Sequence, residues 1–177
     1  MVRAEISHMD GILKRFLGMS RSEAIDRQEM DINELLENVL SLLRIPLKTQ
    51  NIALRFKPGP VPRFTANAPL IEQALLNLLI NAQEAMPNGG VLTVRTECAD
   101  HRVVVSIEDT GSGIPESILA NIYDPFITSK PEGTGLGLFL VKTIIGNQGG
   151  TIACQTSDQG TIFTISLPDC CGETSHA

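Results

Sequence analysis

The chain has 177 residues, 42 % of them apolar, which is the size and composition of one ordinary globular domain. Its formal charge of −6, with no basic stripe able to neutralise phosphates in series, excludes a nucleic-acid surface, so any anionic ligand must be held locally. The longest apolar runs, such as Leu75 to Ile80, fall far short of the roughly 18 residues that a membrane helix needs, and Cys98, Cys154, Cys170 and Cys171 lack the spacing of a zinc site or disulfide framework, as reduced cytoplasmic thiols do.

From the start of the chain, Val2, Ile6, Met9, Leu13 and Phe16 recur in steps of four and three, the a/d seam of a coiled coil. A partner helix is implied; a solitary amphipathic helix packed on its own domain is the alternative. Two heptads are short for a stable seam, so residues 1–20 read as the end of a longer helix and residues 21–30, charged and poor in large apolar side chains, as a linker. A helix is expected from Ile32 to Arg44, with Asp31 as N-cap, Pro46 just beyond its end, and Leu35, Leu36, Val39, Leu42 and Leu43 as its apolar face. Asn51 to Lys57 alternates as a strand, ended by Pro58-Gly59-Pro60. Then follow a long helix from Pro69 to Met86, a turn at Asn88-Gly89-Gly90, and a strand pair at Val91–Glu97 and Arg102–Glu108. A glycine-rich stretch with few core residues runs from Asp109 to Gly137, leading into a helix that ends near Asn147, strands at Thr151–Gln155 and Thr161–Leu167, and a polar tail at residues 169–177. Strands and helices mixed without regular alternation predict an α+β fold, a two-layer sandwich with one mixed β-sheet covered on one face by helices.

Three segments carry chemistry. On the long helix Asn77, Asn81 and Glu84 stand at i, i+4 and i+7, a polar ridge well away from the apolar face. An asparagine amide oxygen can ligate a hard ion such as Mg²⁺; a plain solvated face is the alternative. Asp109-Thr110-Gly111-Ser112-Gly113-Ile114 directly follows an alternating strand, so a carboxylate at a strand end, able to accept from an exocyclic amine such as that of adenine, is followed by glycines that let a flat ring approach. An Asx-type turn explains the same residues without a ligand. Gly133-Thr134-Gly135-Leu136-Gly137-Leu138 opens into an apolar helix, where free backbone N–H groups and the helix dipole favour phosphate. It is neither a Walker A loop nor a dinucleotide fingerprint.

In this order the segments resemble the N, G1 and G2 boxes of the GHKL superfamily, which groups gyrase B, MutL, the large heat-shock chaperone and the histidine kinases. Asp124-Pro125-Phe126-Ile127-Thr128-Ser129-Lys130 resembles the F box that precedes a mobile lid in histidine kinases. The resemblance covers residues 31–168 and implies the Bergerat fold with ATP and Mg²⁺ as ligands. It implies that Asn81 ligates magnesium, with Asn77 and Glu84 beside it, and that Asp109 reads adenine. Gly111, Gly113 and Ile114 would then shape the base pocket, and Thr161 would support the same network. Phe126, Thr128, Ser129, Lys130, Gly133, Thr134, Gly135, Leu136, Gly137 and Leu138 would form the lid around the triphosphate. The wording of the F and G2 boxes is similar to nitrogen-regulator-type kinases.

The function that follows is a protein-histidine kinase domain, set against a GHKL-type ATPase clamp, an anti-sigma-like serine kinase, or a binding module without chemistry. Hydrolytic relatives place a glutamate one turn before the magnesium asparagine; here Asn77 stands there, and an amide cannot take a proton from water. None of His8, His101 and His176 lies in an H-E/D-x-x-N-P-like context, so no acceptor histidine is expected in the chain. The implied partners are phosphotransfer and dimerisation helices, in a homodimer of a longer kinase, and a cognate response regulator. A cytoplasmic location is expected, whether or not the longer kinase is anchored in a membrane.

Overall fold

The computed structural model describes residues 27–130 and 133–168. The expected coiled-coil seam, His8, His176, the cysteine pair Cys170 and Cys171, and the polar tail lie outside the described residues. Eleven elements follow in the order β1 (Gln28–Met30), α1 (Ile32–Thr49), β2 (Ile52–Lys57), β3 (Phe64–Ala66), α2 (Ala68–Glu84), β4 (Gly90–Ala99), β5 (Arg102–Asp109), α3 (Glu116–Leu119), α4 (Gly137–Asn147), β6 (Thr151–Ser157) and β7 (Gly160–Pro168).

The main sheet has five strands in the order β2-β4-β5-β7-β6. Only β2 and β4 run parallel; the other pairs are antiparallel, so the sheet is mixed as the pattern predicts. Alternation decides which face is covered: Val103, Val105 and Ile107 on β5 and Phe163, Ile165 and Leu167 on β7 are buried, while their neighbours stay partly accessible. The helices cover the buried face, α2 through Ile71, Leu75, Leu78 and Leu79, and α4 through Val141, Ile144 and Ile145. Among the described residues no helix is long and apolar enough to cross a membrane.

Three local expectations change. Gln28–Met30, placed in the linker, form a strand antiparallel to β3, and Met30 faces Phe64 in the core. Three residues are too few for alternation to stand out from a charged stretch, and the partner strand lies beyond α1 in sequence. Helix α1, expected to end at Arg44, continues through Pro46 to Thr49. Its cap is as expected, with the Asp31 carboxylate accepting from Asn33 N at 2.8 Å and Glu34 N at 3.3 Å. The extra turn buries Leu47, worth about 1.5 to 3 kcal/mol, which offsets most of the roughly 3 kcal/mol that an interior proline costs. The buried stripe is Ile32, Leu36, Val39, Leu40, Leu43 and Leu47; Leu42, expected inside, is 66 % exposed. Finally, the glycine-rich stretch holds the short helix α3 and a buried Ile122.

Pro46→Ala restores the missing N–H without disturbing Leu47, so it is expected to stabilise the fold by about 1 to 3 kcal/mol. Urea denaturation measures this, and an unchanged or lower midpoint would show that the last turn of α1 is not strained by the proline.

Candidate functional site

Helix α2, the β5 end, residues 127–130 and 133–135 and the start of α4 enclose a cleft of about 570 Å³. Of the residues singled out in the sequence it brings together Asn77, Asn81, Glu84, Asp109, Gly113, Ile114, Thr128, Ser129, Lys130, Gly133, Thr134, Gly135, Gly137, Leu138 and Thr161. Gly111, Phe126 and Leu136 do not line it. Phe126 is 74 % exposed, and Leu136 is the N-cap residue of α4. Gly111 instead serves the site through its backbone, donating to the Asp109 carboxylate at 2.8 Å.

At one end Asp109 closes β5, only 5 % exposed. Burial pushes its carboxyl above the ordinary range; backbone N–H groups of Gly111 and Thr161 pull it back, Glu108 raises it further and Lys130 lowers it. The register sets Thr161 opposite Asp109, and the Thr161 hydroxyl lies 3.0 Å from that of Thr156, which accepts from Ile114 N at 2.9 Å. A Cβ at Gly113, where φ is +70°, would sit 1.9 Å from the Ser157 carbonyl oxygen, so only glycine lets the turn close against β6. Ile118, Ile122 and Phe163 add an apolar wall that a ring can lie against. Their signal in the sequence is a single pair one turn apart, Ile118 and Ile122, too short a pattern to mark a helix between Pro115 and Pro125. Burial also raises Cys154, with a contribution from Asp109, to about 11, so this thiol stays protonated and unreactive at neutral pH.

The other end is polar. Asn77, Asn81 and Glu84 line it from α2, and the Asn77 Nδ2 is buried without a hydrogen-bond partner. The Lys130 ammonium donates to Asn81 Oδ1 at 3.0 Å and pairs with the Glu84 carboxylate. A cation already rests on these two oxygens, and an amide oxygen beside a carboxylate is a donor set that suits a hard divalent ion; Mg²⁺ fits here. Facing them, α4 begins with no side-chain cap, leaving its first N–H groups for an anion, and a Cβ at Gly137 would lie 3.8 Å from Asn81 Nδ2. Around the rim the loop is pinned where Phe126 N donates to Gly135 O at 3.0 Å. Gly135, with φ of +67°, lies so close to the Phe126 and Ile127 backbone that a Cβ would approach within 2.4 Å.

With this geometry in place the comparisons with known proteins are specific. The profile of the family described as Histidine kinase-, DNA gyrase B-, and HSP90-like ATPase matches residues 66–170. The chain belongs to this ATPase family. Sensor histidine kinase ZraS of Klebsiella oxytoca is 35% identical over 167 residues, which cover 93% of this chain and 36% of ZraS. The chain thus spans little more than a third of that relative. Full-length ShkA solved with AMPPNP superposes with a TM-score of 0.80 at 26% identity, covering 94% of this chain and 37% of that one. Histidine kinase ThkA solved with response regulator protein TrrA gives 0.78 at 29% identity, covering 95% and 49%. The mixed sheet under its helices is the fold of histidine-kinase catalytic domains, and the domain is an ATP-binding one of that kind.

Two outcomes follow for this ATPase domain. Because the folded pKa of Asp109 lies above its unfolded value, its contribution to stability is fully present below the unfolded pKa and is lost as pH rises through the folded one. Asp109→Asn is therefore expected to be at least as stable as wild type without ligand near neutral pH, with the difference closing on acidification; thermal melts across pH that show a constant deficit would contradict this. Gly135→Ala is expected to weaken nucleotide binding at least about tenfold by forcing the rim loop open, with little change in melting temperature. Calorimetry on the folded variant tests it, and unaltered affinity would show that the loop conformation is not needed.

Proposed function

We propose that the chain binds Mg-ATP in this cleft and presents the γ-phosphoryl group to a histidine on a separate phosphotransfer helix, as part of a two-component signalling kinase in the cytoplasm. The observation that carries the reading is the pairing, across one cleft, of a buried carboxylate at a strand end with an uncapped helix N-terminus. Asp109 accepts the adenine amine, and Gly113, Ile114 and Thr161 frame the base. The α4 N–H groups, with Thr134 and Gly137, hold the phosphates. Mg²⁺, held through Asn81, would neutralise phosphate charge. The domain contributes position and electrostatics; no group at the place of Asn77 can take a proton from water, which disfavours a hydrolytic clamp.

His101 supports a separate acceptor. It sits in the exposed turn between β4 and β5, at the opposite end of β5 from Asp109. The eight residues of β5 span roughly 25 Å at about 3.3 Å each, so His101 cannot meet a phosphate in the same cleft. The likeness to ThkA, solved with TrrA, supports a response regulator as the downstream partner, and the seam predicted for residues 1–20 supports a homodimer through the phosphotransfer helices.

The experiment is titration with ATP and Mg²⁺, then incubation of the γ-labelled nucleotide with the chain alone and with a supplied phosphotransfer helix pair. Asp109→Asn is expected to lower affinity by about 1.5 to 3 kcal/mol, the worth of a charge-assisted hydrogen bond. Label should appear on the helix pair, slowly because the covalent connection is absent, and not on the chain alone. Unchanged affinity in the variant removes Asp109 from the site, and acid-labile label on the chain alone sinks the separate acceptor.

A further inference from the structure

Lys130 bridges from its loop to two side chains on one face of α2. Glu84 is the last residue of the 17-residue helix α2, whose last turn contains no basic residue. A carboxylate at a helix C-terminus faces the negative end of the macrodipole, an arrangement that a cation relieves. The cation comes from another segment: Lys130 sets its ammonium between Asn81 Oδ1, at 3.0 Å, and the Glu84 carboxylate. Asn81 and Glu84 stand three residues apart and share one helix face, so their oxygens converge without distortion. A lysine ammonium is a compact point charge, and a spot that holds it by two oxygens and a helix end holds a small divalent ion by the same forces.

We propose that Asn81 and Glu84 together form a divalent-cation site which Lys130 occupies in the nucleotide-free chain, so that lysine and metal ion compete for the same two oxygens. The inference rests on the ATP-binding reading and adds Glu84 as a metal-facing residue and Lys130 as a tethered placeholder. The bridge is half-exposed, with side chains 38 % and 51 % accessible, so solvent screens it and it yields readily. A divalent ion arriving with its nucleotide displaces the ammonium, which frees the loop bearing Thr128, Ser129 and Lys130 from α2. Lys130 then stays beside the phosphates as a second positive charge instead of leaving the cleft. Metal entry and release of the rim loop are thereby one event.

The test is Mn²⁺ binding to the nucleotide-free chain, followed by the paramagnetic signal of the free ion. Wild type is compared with Lys130→Met and with Lys130→Met/Glu84→Gln, each checked for native melting. Lys130→Met is expected to bind Mn²⁺ about fivefold more tightly, the upper range for an exposed ion pair, and the double variant to lose that gain. High ionic strength should narrow the gap between wild type and Lys130→Met. Equal affinity in wild type and Lys130→Met, undetectable binding in both, or a gain that survives Glu84→Gln overturns the proposal. ADP titration with Mg²⁺ reports the nucleotide site separately: absence of any binding there strikes the ATP reading, whereas the nucleotide-free Mn²⁺ series decides the cation site alone.

Discussion

A carboxylate buried without a firm cation partner costs free energy, and much of this domain is arranged around the one at Asp109. Two backbone N–H groups, of Gly111 and Thr161, limit the cost, and each is brought there by a different feature of the chain. Gly111 belongs to the tight turn that follows β5. Thr161 arrives through the antiparallel register of β5 and β7, which makes it the direct neighbour of Asp109. The antiparallel register of β6 and β7 in turn sets Thr156 opposite Thr161, with their hydroxyls 3.0 Å apart, and so ties Ile114 to the sheet edge. The strand order β5-β7-β6 is therefore what assembles the Asp109 end of the cleft; a slip of one residue would turn Asp109 to the other face.

The polar end is built from two helix termini of opposite sign. Helix α2 brings its C-terminus, with Glu84, and α4 brings its uncapped N-terminus. The two helices pack on each other, so the termini are held a fixed distance apart by apolar residues such as Leu78 and Val141 that never touch a ligand. A metal ion with attached phosphates has matching polarity, cation towards α2 and anion towards α4. Packing in the core thus fixes the electrostatics of the cleft before any ligand arrives.

These levels were unequally legible in the sequence. The polar ridge of α2 was readable because helical periodicity alone puts Asn77, Asn81 and Glu84 on one side, and the strand before Asp109 announced itself by strict alternation. Pro46 misled because local rules end a helix there, whereas burial of Leu47 against the sheet is a tertiary gain that no window of sequence contains. Strand β1 was hidden for the same reason: its three residues mean nothing until β3 pairs with them. The contact of Lys130 with Asn81 and Glu84 joins residues 46 and 49 positions apart, and a lone loop lysine has no pattern that predicts its partner. Phe126, by contrast, stands in a motif yet points to solvent, with φ of +67°, because its backbone rather than its ring anchors the rim to Gly135.

Asn77 decides which chemistry the cleft favours. One turn before Asn81, a carboxylate would activate water, but the amide there has no basic oxygen, and its Nδ2 is a buried donor without a partner. An unsatisfied buried donor costs about 1 to 3 kcal/mol, a penalty that an anionic phosphate oxygen or an ordered water would remove. An amide at this position thus favours an anion or water beside it while offering no base to activate that water. An ATP-binding domain with an amide in place of a base at Asn77, and with its one described histidine at the far end of the sheet, fits the proposed role of holding a phosphoryl group until an acceptor is brought to it. On the proposed phosphotransfer reading, rate is set by encounter between the cleft and that acceptor rather than by any proton transfer at Asn77, which makes the connection between them the natural point of control.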